Sequence, residues 1–147
     1  MACEIISSGA AVFSVWGTTS REDLDRVFES MRVARDAAGG PITYVTRVPA
    51  DAPPPEASVR RHLDTLMPLA TEYCSSYHVI LEGAGFVAAV KRSVLVGLFQ
   101  IRWRRGLFFI HASHSEVLPQ LAAPARPEVE RLLQRAHELG LFEATPH

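Results

Sequence analysis

The chain has 147 residues, 48% of them apolar and 21% charged, with a formal net charge of −1. This balance excludes a disordered, highly charged tail and leaves no global basic field to draw the chain to nucleic acid or to an anionic membrane. Its two cysteines, Cys3 and Cys74, exclude a disulfide framework and suit a reducing compartment.

Residues 3–7, "CEIIS", and 11–16, "AVFSVW", are short β-branched and aromatic runs around a Ser-Gly turn, which predicts a hairpin. A helix follows, with Ser20 as its cap and Leu24, Val27, Phe28, Met31 and Ala34 on one face. Gly39-Gly40 is its stop signal. "ITYVTRV" reads as a strand, and the proline-rich "PADAPPPE" as a loop. The next helix has Val59, Leu63, Leu66, Ala70 and Tyr73 on its apolar face, and Pro68 inside it predicts a kink or break.

"YHVILEG" is the next expected strand, leading through Glu82, Gly83, Ala84 and Gly85 into a long apolar helix from about Phe86 to Trp103. Lys91, Arg92, Gln100 and Arg102 interrupt that apolar stretch. A membrane span needs about 20 nearly charge-free residues, so a buried helix is expected instead. "LFFIHAS" is the last strand and "SEVLPQLA" a short helix. "APARP" then reads as a hinge before a final helix, Glu128–Leu139, striped by Val129, Leu132, Leu133, Ala136 and Leu139. The N-terminus carries no basic stretch ahead of an apolar core, so no secretory signal is expected and a cytoplasmic location is.

The order ββαβαβαβα plus a C-terminal amphipathic helix predicts an α/β fold, mostly parallel after the hairpin, with helices packed on the sheet. Three stretches, "AVFSVWG", "VILEGAGF" and "LFFIHASHSEVLPQL", give this order a resemblance to the STAS domain, the fold of anti-sigma-factor antagonists, and to small bacterial STAS-like proteins. The resemblance spans about residues 3–122. It implies a STAS-like domain over 1–122, with 123–147 as hinge and appended helix. It also implies a regulatory, protein-binding role. Phosphorylation-switched antagonists carry Asp-Ser-Ser/Thr-Gly at the strand-to-helix corner. Here the corner is Glu82-Gly83-Ala84-Gly85, and the first hydroxyl after it is Ser93. The expectation is therefore docking without the usual phosphorylatable serine.

The remaining chemistry is sparse. Gly-x-Gly at a helix start can offer backbone N–H groups to a phosphate, but there is no Gly-Lys-Ser/Thr, and a lone Glu82 would repel an anion. His111 and His114 would face opposite sides of a continuing strand, and Cys74–His78 is interrupted by Ser75-Ser76, so no metal site is expected. Cys74 falls near an apolar stripe and reads as a small hydrophobe rather than a nucleophile. Arg60-Arg61-His62 reads as a solvated face. Trp103 among Arg102, Arg104 and Arg105 has the composition of an interface anchor.

The sequence thus leads to a non-catalytic module without cofactor that docks a protein partner. The expected surface comprises Glu82, Gly83, Gly85, Lys91, Arg92, Trp103 and the helix residues Leu132 and Leu133. A homodimer through that last helix is one way to cover its stripe. The alternative is a small-ligand domain, holding a nucleotide or an apolar molecule beside the long helix.

Overall fold

The computed structural model describes residues 3–17, 20–53, 55–83, 88–89, 92–93 and 107–142. Strands β1 (Glu4–Ser8) and β2 (Ala11–Val15) form the expected antiparallel hairpin, with Ser8 opposite Ala11. Its two-residue loop begins with Gly9 at φ 53°, the positive angle that a tight hairpin turn of this handedness requires. Helix α1 (Arg21–Ala38) starts where the Ser20 side chain accepts from the Asp23 N–H, and ends at Gly39 in the left-handed region. The five stripe residues, Leu24 to Ala34, are all buried.

Strand β3 (Ile42–Val48) leads to α2 (Ala57–Tyr73), which runs through Pro68 as one continuous helix. Proline removes a single backbone donor there, and burial of Val59, Met67, Ala70 and Tyr73 on both sides of it holds the helix to the sheet. Strand β4 (Cys74–Leu81) begins directly at the helix end, so Cys74, Ser75 and Ser76 are strand residues rather than a loop. The expected long helix Phe86–Trp103, and with it Gly85, Lys91 and Trp103, lies outside the described residues, apart from Ala88, Ala89, Arg92 and Ser93.

Strand β5 (Phe108–His111) is followed by three single 3-10 turns, His114–Glu116, Leu118–Gln120 and Ala123–Ala125. The last of them runs straight into α3 (Arg126–Glu138). The sheet order is β1-β2-β3-β4-β5, antiparallel for the first pair and parallel for the rest. Among the described residues no helix is long and apolar enough to cross a membrane.

Alternation along the strands divides the core in two. Val12, Tyr44 and Val79 point to one face and are buried under α1 and α2. Phe13, Val45 and Ile80 point to the other, where Val117, Leu121 and α3 cover them. This corrects the expectation of a hinge and an appended helix. Leu132 and Leu133 are 0% and 7% exposed, packed in the second core rather than presented to a partner. A parallel sheet must be covered on both faces. With α1 and α2 on the first, α3 supplies the second. Each large side chain so buried contributes about 1.5–3 kcal/mol. Leu139, the last residue of the predicted stripe, is 56% exposed.

Candidate functional site

Parallel strands gather their C-terminal ends at one edge, the usual place for function in α/β sheets. Pairing register sets two rows of side chains there, on the α3 face. The outer row is Val15, Arg47, Ile80 and His111; the inner row is Phe13, Val45, His78 and Phe109. Three polar side chains, Arg47, His78 and His111, thus sit in rows that are otherwise apolar, and all three are buried.

Arg47 is 5% exposed, and its guanidinium binds the Glu82 carboxylate in two-pronged fashion. Nε donates to Oε1, and Nη2 donates to Oε2 at 3.0 Å. Nη1 donates to the Leu141 carbonyl at 2.9 Å, tying the segment after α3 to the same cation. Burying a guanidinium is costly, and a bidentate carboxylate with a further acceptor offsets that cost. Glu82 is held from its own backbone too, its N–H donating to the Val48 carbonyl at 3.3 Å. Gly83 follows at φ 100°, where an added Cβ would lie 3.0 Å from the Ala50 Cβ. Both the backbone angle and the close approach therefore require glycine. The expected repulsion of anions by Glu82 is also revised, because Arg47 matches its charge.

The histidines pair differently from expectation. His78 Nδ1 and His111 Nε2 lie 2.9 Å apart, and His78 Nε2 lies 3.0 Å from the Ser76 hydroxyl. The Phe109 ring stacks on His78, 4.8 Å between centroids and 7° from parallel. Burial, with the neighbouring His111 second, pushes the His78 pKa down to about 3. Burial also lowers that of His111, partly opposed by Glu116. Both rings are neutral at pH 7. His114 is separate: its ring packs on Phe142 at 4.7 Å, and Phe142 in turn packs on Phe13 at 5.3 Å.

Two zinc–nitrogen bonds of about 2.0–2.1 Å at a tetrahedral angle would hold ring nitrogens about 3.3 Å apart, so 2.9 Å is hydrogen-bonding geometry. Among the described residues no cluster of three or more His, Cys, Asp or Glu side chains is arranged to hold a metal. Cys74 packs its sulfur 3.8 Å from the Met31 sulfur, and burial pushes the thiols of Cys3 and Cys74 up to about 12. Neither is a thiolate at neutral pH.

Of the expected surface residues, Glu82 and Gly83 form the corner, Arg92 is exposed, and Leu132 and Leu133 are core. Sequence reasoning passed over Arg47 and the His78–His111 pair. The available signal was a charged or imidazole side chain inside "ITYVTRV" and "YHVIL", strands apolar on both faces, where an unpartnered polar group is not tolerated. No family model, curated protein or solved structure matches this chain.

Proposed function

We propose that the chain is a non-catalytic, STAS-like regulatory module that docks a protein partner at the C-terminal edge of its parallel strands, through the Glu82–Gly83 corner and the exposed Arg92. The observation that carries this reading is the Arg47–Glu82 clamp. It fixes the shape of the corner from within, so the surface is preformed before any partner arrives. The inward burial of both thiols and of the His78–His111 pair supports a surface that acts by shape rather than by chemistry. The hairpin-first, sequential strand order supports the STAS-like comparison.

The test is site-specific photocrosslinking from position 92 in native cells, with mass-spectrometric identification of the adduct. A single reproducible protein adduct, whose purified complex is weakened at least tenfold by Gly83→Asp, supports docking at the corner. A small molecule that co-purifies in native mass spectrometry and is lost in Glu82→Ala, with no protein adduct, overturns it in favour of ligand binding.

A further inference from the structure

The His78–His111 contact joins β4 to β5, and β5 is only four residues long at the end of the strand order. Two imidazoles have four ring nitrogens. Their mutual hydrogen bond needs one hydrogen between the facing pair, His78 Nδ1 and His111 Nε2. In the neutral couple the second hydrogen sits on one of the outward nitrogens. If it is on His111 Nδ1, the Ser76 hydroxyl donates to His78 Nε2; if it is on His78 Nε2, that N–H donates to the Ser76 oxygen. A third hydrogen fills both outward positions and leaves the central bond in place. A fourth must enter between the rings, where two N–H groups then face each other and no bond remains.

We infer that His78 and His111 form a proton-sharing couple that takes one proton with its hydrogen bonds intact and parts on taking a second, so that acid releases β5 from β4. The inference is independent of the docking reading. The surroundings are arranged for a single cation. The Phe109 face lies parallel to His78, where a protonated ring gains cation–π attraction. The carboxylate of Glu116, on the turn after β5, acts favourably on His111 and is itself anchored by the Ala112 N–H at 2.8 Å. The nearby cation, Arg47, lies two strands from His111 in the same row and is matched by Glu82. Burial opposes both protons, so uptake falls below the ordinary histidine range and the second proton below the first.

The test uses the full chain with 15N-labelled histidine, titrated from about pH 7.5 to 4.5, with amide exchange followed on Phe109, Ile110 and His111. The expected result is two neutral, mutually bonded rings at the upper end. As pH falls, the β5 amides should lose at least tenfold more protection than those of β2. His111→Gln keeps a donor for His78 Nδ1 but cannot titrate, so its β5 protection should persist over the same range. The inference is overturned if the two rings titrate independently near 6.5. It is equally overturned if β5 and β2 lose protection together, or if the glutamine variant behaves like the parent. Should that variant not fold, the ring titration of the parent decides alone.

Discussion

The two faces of the sheet solve the same problem with different chemistry. Under α1 and α2, the buried polar side chains that the strands contribute are hydroxyls. Ser14 bonds both Tyr44 and Thr46, and burial raises the Tyr44 pKa far above its usual value. None of these three hydroxyls changes charge between pH 3 and 10. Under α3 and its neighbouring turns, the buried polar groups include an arginine and two histidines, held by a carboxylate and by each other. The strands therefore turn neutral hydroxyls to one face, whereas the other face depends on charge balance. The difference teaches that the strands of a single sheet can turn their arginine and histidines to one face and their hydroxyls to the other.

The largest way to break this comparison is to remove the second cover outright. Deleting residues 126–147 bares Phe13, Val45 and Ile80, and the product should be unfolded or aggregated on a sizing column. A folded monomer would show that α3 is dispensable. Next comes Glu82→Ala, which leaves the Arg47 guanidinium buried without its carboxylate. Urea unfolding should show a loss of about 3–5 kcal/mol, and the double variant Arg47→Met/Glu82→Leu should recover most of it.

A smaller effect comes from His78. Its folded pKa lies below its unfolded one, so the unfolded chain binds the proton first as pH falls. Stability is full above about pH 6.5 and declines by about 1.4 kcal/mol per pH unit below it, until the folded value near 3 is reached. At pH 5 the loss is about 2 kcal/mol, read as a lower urea midpoint, and a His78→Phe variant should keep only the part of the slope due to His111, whose pKa burial also lowers. Similar in size but insensitive to pH is Ser14→Ala, which strips one bond each from Tyr44 and Thr46. It should cost about 1–3 kcal/mol by the same unfolding measurement, by an amount unchanged between about pH 5 and 8.

What depends on neighbours in sequence could be read in advance. The stripe of α1, its Ser20 cap and its Gly39 stop all appear in the structure, because each rests on spacing within a few residues. The apolar stripe of α3 was equally visible, but a stripe does not say which surface covers it. That answer depended on α1 and α2 both landing on the opposite face. The site was less legible still. Arg47 and Glu82 are 35 residues apart, and His78 and His111 are 33 apart. They meet only through strand register, which no local pattern encodes. Spacing argues against the pairs close in sequence, His111 with His114 and Cys74 with His78, and the structure gives His114 and Cys74 other neighbours.

The placement of α3 has a consequence for biosynthesis. Glu128, in its first turn, receives a hydrogen bond from Ser8 at the tip of the opening hairpin, 120 residues earlier in the chain. The hairpin is thus completed by an element translated 120 residues after it. Until translation reaches that helix, Phe13, Val45 and Ile80 form an uncovered oily plane on a sheet already able to assemble, the kind of surface that chaperones retain and that neighbouring nascent chains can stick to. Slow synthesis or a stop before residue 126 would therefore leave a half-clad sheet able to borrow α3 from a complete copy.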